Sequence, residues 1–106
     1  MPNVIPKSMF EQLAEFSFST ADLAAYRAFS KDDNPVHQSG VVFGIQLMAT
    51  VESCLVQWLR LTPTHETTYY FLEKVFVDET LQLLSTRTGR FEVWHEDKLV
   101  GKGVII

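Results

Sequence analysis

Gly44-Ile45-Gln46-Leu47-Met48-Ala49-Thr50-Val51-Glu52-Ser53-Cys54-Leu55-Val56-Gln57-Trp58-Leu59-Arg60 reads as one long helix. Ile45, Leu47, Met48, Val51, Cys54, Leu55, Trp58 and Leu59 cover most of its circumference, so the helix is expected to be buried on more than one side. Gln46, Thr50, Glu52 and Gln57 are then the polar positions that need partners. Leu61-Thr62-Pro63-Thr64 ends the helix, because proline cannot continue it.

Downstream of this helix the pattern changes to β. Thr68 to Val77 is rich in Tyr, Phe and Val, and Thr80 to Thr88 follows after Asp78-Glu79. Gly89 separates that segment from Phe91 to His95, and Glu96-Asp97-Lys98 reads as a turn into Leu99 to Ile106. Gly101 and Gly103 in the last segment predict a strand face that is sparse or closely approached. Upstream, Glu15 to Ser19 alternates as a short strand. Thr20 reads as an N-cap for a helix over Ala21–Phe29, with Asp22 in its first turn and Leu23, Tyr26 and Phe29 as its apolar stripe. The order strand, helix, long helix, then consecutive strands with short turns predicts an α+β fold: an antiparallel sheet packed on one long helix at about residues 44–60.

Composition sets the outer bounds. The 106 residues suit one domain over 1–106, and no linker, repeat or low-complexity tract divides them. Hydrophobic residues at 46% and charged residues at 21% lie near globular averages, which argues against disorder. The net charge of −4, from 9 basic and 13 acidic residues, argues against general nucleic-acid binding. No apolar run reaches the ~18 residues that span a bilayer, so no membrane partner is expected. The first residues lack the basic stretch and apolar core of a signal peptide. With Cys54 as the lone cysteine, no internal disulfide or multi-cysteine metal site can form, and the expected location is cytoplasmic. Most of the cations fall in the second half, where Lys74, Arg87, Arg90, Lys98 and Lys102 could meet a phosphate-bearing ligand or be solvated strand-face charges.

The chemistry-bearing segment is Phe29-Ser30-Lys31-Asp32-Asp33-Asn34-Pro35-Val36-His37. It gathers a carboxylate, an amide, a stiffening proline and an imidazole. A carboxylate near an imidazole can set its tautomer and raise its basicity, or share a water with it. Read on residues alone, the segment is also a common turn.

Asp32-Asp33-Asn34-Pro35-Val36-His37 resembles the D-x-N-P-x-H motif of the MaoC-like dehydratases and (R)-specific enoyl-CoA hydratases. Phe18-Ser19-Thr20-Ala21-Asp22-Leu23 is similar to their strand-to-helix entry, Ala28-Phe29-Ser30 to the stretch before the motif, Val41-Val42-Phe43-Gly44 to the end of their loop, and Phe71 to Leu81 to their aromatic strand and turn. The resemblance spans roughly residues 15–106. It implies a hot-dog fold, a curved antiparallel sheet wrapping the long helix, assembled as a homodimer or a dimer of dimers. It implies that Asp32 and His37 are the catalytic dyad, that Asn34 is the motif amide, and that the Gly44 N–H polarises the thioester carbonyl. The substrate would be an acyl thioester of coenzyme A or an acyl carrier protein, with no cofactor and no metal. The connection Gln38–Phe43 is shorter than usual in that family, and Phe43 replaces a common histidine; both features bear on pocket shape.

Other readings stand beside this one. Glu52 either faces solvent or enters the pocket as the carboxylate of a hot-dog thioesterase. A non-catalytic dimeric module binding acyl groups or a partner would also suit the short connection. His65 and His95 read as structural, Cys54 as an inert buried thiol, Trp58 and Trp94 as core aromatics, and Asp33 as solvent-facing. The spacing of an EF-hand is absent.

Overall fold

A computed structural model describes residues 9–30, 41–42 and 44–106, and only the backbone of 26–30. The elements are β1 (Glu11–Phe16), α1 (Thr20–Ser30), α2 (Gly44–Leu59), β2 (Thr67–Phe71), β3 (Leu81–Ser85), β4 (Arg90–His95) and β5 (Lys98–Ile105). The five strands form one antiparallel sheet in the order β1-β3-β4-β5-β2, with β1 and β2 at its edges. This is the α+β architecture that the sequence pattern predicts.

Helix α2 lies on the inner face of the sheet. Its fully buried positions, Leu47, Val51 and Leu55, are four residues apart and so form one stripe. They share a core with Leu81, Leu83, Phe91 and Val93, which alternate along β3 and β4, and with Val100 and Ile105 of β5. Burying one such side chain stabilises the fold by about 1.5–3 kcal/mol. Burial of α2 is narrower than its composition suggests: Ile45 is 63% exposed, and Met48, Cys54, Trp58 and Leu59 are half-buried. A lone sheet covers only one side of the helix.

The polar positions of α2 are mostly accounted for. Gln46 Nε2 donates to the Asp22 carbonyl of α1 at 3.3 Å, and Thr50 Oγ1 donates to the Gln46 carbonyl at 3.1 Å. Arg60, in the left-handed region at φ 54°, closes the helix, and Leu61 N–H reaches back to the Val56 carbonyl.

Three boundaries differ from the sequence reading. The first strand spans Glu11–Phe16, not Glu15–Ser19: it starts four residues earlier, where it pairs with β3, and Ser19 instead caps α1 in place of Thr20. Ser19 N–H donates to Asp22 Oδ2 at 2.7 Å, and Asp22 N–H donates to Ser19 Oγ at 3.1 Å. This reciprocal pair is a capping box closed by aspartate. The Ser19 backbone N–H contributes most to holding the Asp22 carboxyl below its ordinary range, and the Ser19 side chain adds to it. The predicted Thr68–Val77 strand is split. Past Phe71, the N–H groups of Leu72 and Glu73 both donate to the Val100 carbonyl; Val75 and Phe76 then pair with Val42 and Val41 instead of with the sheet. Of the predicted stripe on α1, Leu23 is buried, while the side chains of Tyr26 and Phe29 lie outside the described residues.

The glycines of β5 do what the sequence suggested. Phe71, Gly101, Val93 and Leu83 form one cross-strand row, and Tyr69, Gly103, Phe91 and Ser85 form the next. A Cβ at Gly101 would overlap the Tyr69 phenol, and one at Gly103 would overlap the Thr68 carbonyl and the Phe91 ring. The space left by the two absent side chains is filled by rings: Tyr69 packs 4.5 Å from Phe71 and 5.7 Å from Phe91, centroid to centroid. The Tyr69 hydroxyl is buried with no partner among the described residues, and burial pushes its pKa up.

Candidate functional site

Gly44 opens α2 and adds no side chain at its N-terminal tip. The first N–H groups of a helix have no partner within the helix. No acidic side chain stands in the first turn of α2 itself, so the helix supplies no carboxylate of its own to offset the positive end of its dipole. In front of this tip lies a cleft of about 590 Å³. Val41, Val42, Gly44 and Leu47 form one wall, and the 71–76 segment forms the other, with Lys98 from the start of β5 at the rim. The walls are tied together where Val42 N–H donates to the Val75 carbonyl at 2.7 Å. The Phe71 ring lies over the helix tip, 3.2 Å from where a Cβ at position 44 would stand.

Among the described residues, the arrangement supplies a largely apolar slot, a helix N-terminus, and the charged side chains of Glu73, Lys74 and Lys98. Chemically, it suits a ligand with an apolar body and a carbonyl oxygen that accepts from a main-chain donor. A second hollow of about 630 Å³, on the other face of the sheet, is lined by Glu92, Glu96 and Asp97 with Trp94 and Leu84, and has no such donor.

Of the four site residues expected from sequence, Gly44 sits at the cleft. Asp32, Asn34 and His37 lie outside the described residues, as do Asp33 and Phe43. In sequence the motif falls between Ser30, where α1 ends, and Val41, in the cleft wall.

Glu52, the carboxylate considered for thioester hydrolysis, is engaged elsewhere. Its Oε2 accepts from Thr67 Oγ1 at 2.8 Å, and its Oε1 lies 3.3 Å from His65 Nε2. The Thr67 bond is the main cause that holds its carboxyl below the ordinary value; burial opposes it and His65 assists. His65 also bonds the Thr62 carbonyl through Nδ1 at 3.0 Å. His95 likewise bridges the Thr80 carbonyl and the Glu79 carboxylate, each at 3.0 Å. Both histidines therefore tie elements together, as expected. Cys54 is half-buried, and burial raises its thiol pKa, which leaves it a poor nucleophile. Among the described residues, no three His, Cys, Asp or Glu side chains gather as a metal-binding group. Sequence reasoning did not single out Phe71 as part of the cleft; its proximity to Gly44 depends on strand pairing that no local pattern encodes.

By sequence the chain matches no protein-family profile and none of the curated proteins. Solved structures give clear matches. An (R)-hydratase from A. caviae involved in PHA biosynthesis superposes with a TM-score of 0.72 at 18% identity, covering 91% of each chain. The protein af1124 from Archaeoglobus fulgidus superposes with a TM-score of 0.73 at 19% identity, over 99% of this chain and 79% of that one.

This chain has the hot-dog fold. The hydratase is a MaoC-like hot-dog protein, so the architecture implied by the D-x-N-P-x-H resemblance is the one observed. At these identities the likeness is one of fold. In hot-dog terms, α2 is the filling, the five strands are the wrap, and the cleft opens at the N-terminal end of the filling. Among the described residues, no helix is long and apolar enough to cross a membrane.

Proposed function

We propose that this hot-dog protein adds water to enoyl thioesters, and in reverse dehydrates (R)-3-hydroxyacyl thioesters, in the cleft at the tip of α2. The observation that supports the reading is a cleft at the N-terminal end of α2, one wall of which begins at Val41, four residues after the D-x-N-P-x-H motif in sequence. His37 is four residues from Val41, and a chain of that length spans about 14 Å at most.

The chemistry follows from charge. Attack of water at Cβ places negative charge on the thioester oxygen, where the Gly44 N–H and the helix dipole stabilise it. Ionised Asp32 and neutral His37 hold one water between them; the water loses a proton as its oxygen bonds Cβ, and Cα gains a proton. Asn34 takes the position of the motif amide. The (R) stereochemistry is taken from the hydratase of the same fold. Glu52 gives little support to thioester hydrolysis, since both its oxygens are occupied away from the cleft residues.

The same reading includes a homodimer in the cytoplasm. Tyr70, Phe71 and Leu72 are 56%, 53% and 45% exposed on or beside the edge strand β2, and Ile45 is exposed near the cleft. Apolar side chains gathered along an unpaired strand edge suit a second copy of the chain.

The test follows loss of the conjugated absorbance of a short enoyl-CoA alongside release of free thiol. Asp32→Asn and His37→Ala, each folded, are expected to slow hydration by about 10²–10⁴-fold. Thiol release that depends on Glu52, or turnover indifferent to Asp32 and His37, would overturn the proposal.

A further inference from the structure

The turn from Phe76 to Thr80 fastens pieces of chain that are far apart in sequence. Glu79 accepts from the Phe76 N–H through Oε1 at 2.7 Å, and its own N–H donates to the Phe76 carbonyl at 3.3 Å. Its Oε2 lies 3.0 Å from Nε2 of His95, at the end of β4. Nδ1 of the same ring lies 3.0 Å from the Thr80 carbonyl oxygen. One carboxylate and one imidazole thus grip the turn at both ends, and Asp78 between them adopts the left-handed region at φ 65°. Both side chains are mostly covered, at 20% exposure for His95 and 21% for Glu79.

The turn in this form holds two neighbours. Asp78 N–H donates to the Phe18 carbonyl at 2.8 Å. On the other side, Phe76 bridges to Val41, and the Val75 carbonyl accepts from Val42 N–H at 2.7 Å. In sequence, Phe18 precedes the D-x-N-P-x-H motif and Val41 follows it, so the chain on either side of the motif is tied to one turn. Val41, Val42, Val75 and Phe76 also line the cleft.

We infer that Glu79 and His95 are positioning residues: together they lock the 76–80 turn and so set the cleft wall against the two segments that flank the motif. Neither lines the cleft, so they act through Phe76, Val42 and Phe18 and not on a ligand. The effect on turnover rests on the hydration reading of this cleft; the lock itself does not. A reaction that needs several groups aligned on one substrate responds steeply to displacement, by about 10²-fold for 1 Å. A loosened turn therefore lowers kcat more than it raises KM.

The experiment has two arms, both on the full chain. Native-state amide exchange followed by NMR reads the lock. In Glu79→Ala and in His95→Ala, the Phe76, Asp78 and Val42 amides are expected to exchange about tenfold faster, while those of the fully buried Leu83 and Val93 keep their wild-type rates. Hydration of a short enoyl-CoA reads the consequence. The kcat per folded molecule is expected to fall by about 10–10²-fold in either variant, and the double variant to lose no more than the worse single, as for two groups that act as one. Glu79→Gln, whose amide oxygen still accepts from Phe76 N–H, restores most of the rate. His65→Ala is the matched control: it breaks an imidazole–carboxylate contact of the same kind, with Glu52, away from the cleft residues, and leaves kcat unchanged. The inference is overturned if the three amides keep wild-type exchange, if exchange rises uniformly across the sheet, if Glu79→Gln is as slow as Glu79→Ala, or if His65→Ala lowers kcat as much. Selective exchange at the turn in a protein that hydrates no enoyl-CoA would sink the hydration reading and leave the lock standing. Hydration indifferent to both alanine variants would do the reverse.

Discussion

The carboxylate of Glu52 and the imidazole of His65 face each other at 3.3 Å, Oε1 to Nε2, and join the middle of α2 to the loop that leads into β2. His65 is held above its ordinary value of 6.5, first by its bond to the Thr62 carbonyl and then by Glu52. A raised folded-state pKa means that its contribution is complete below that ordinary value and is lost as pH rises through the raised one. Glu52 is held below its ordinary 4.5, so its contribution is present above that value and is lost as pH falls through the lowered one. The contact is thus strongest between the two. The thermal midpoint of wild type is expected to fall more steeply than that of His65→Asn as pH rises from about 6 to about 8. Parallel curves for the two proteins would refute the assignment.

Gly44 allows the main-chain donor to be tested without touching a side chain. Alanine and proline both add a Cβ against the Phe71 ring, 3.2 Å away, and that ring is half-exposed and free to give. Proline also removes the N–H, at the start of a helix where it is otherwise well tolerated. Gly44→Pro is expected to have a kcat about 10²–10³-fold below that of Gly44→Ala, the usual cost of losing one such donor. Equal rates for the two variants would show that the N–H does not act on the thioester.

The inner face of the sheet predicts a graded response along β5. A methyl group at Gly103 would meet the Thr68 backbone, which cannot move without breaking the β2–β5 pairing; at Gly101 it would meet the far end of the Tyr69 side chain. Denaturant unfolding should therefore rank Gly103→Ala as the worse, by about 1–3 kcal/mol, the range for overpacking. The reverse ranking would contradict the register.

Leu55 is fully buried on the stripe of α2 that faces the sheet. Leu55→Ala should cost about 2–5 kcal/mol, measured by equilibrium unfolding. A cost near that of an exposed site would mean that α2 does not sit on the sheet as described.

Much of this was legible in the sequence, for identifiable reasons. The element order and the end of α2 follow from apolar spacing and from Pro63, and the glycines of β5 announced a crowded face. The cap was misassigned because Ser19 and Thr20 are both good candidates, and the choice turned on which of them stood three residues before Asp22. The ten-residue strand prediction failed because its second half, Val75-Phe76, is as β-prone as the first but finds partners in Val41 and Val42 instead of the sheet. Glu52 illustrates the limit of reading one residue at a time: a carboxylate on an apolar helix suggests a site, and only the fold reveals Thr67 and His65 as its partners. Gly44 lines the cleft, with its action on a carbonyl a proposal, whereas Asp32, Asn34 and His37 lie outside the described residues.

The rings that lie across Gly101 and Gly103 have an evolutionary consequence. Volume missing from β5 is supplied by Tyr69 on one neighbouring strand and Phe91 on the other, so these four positions share one fixed allotment of space. Relatives that keep this backbone should trade bulk between positions 101 and 69, a side chain gained at 101 being accompanied by a smaller residue at 69, while 103 stays glycine because the Thr68 backbone closes that position whatever stands at 91. Substitution histories at 101 and 69 are therefore bound together, however far apart they lie along the chain.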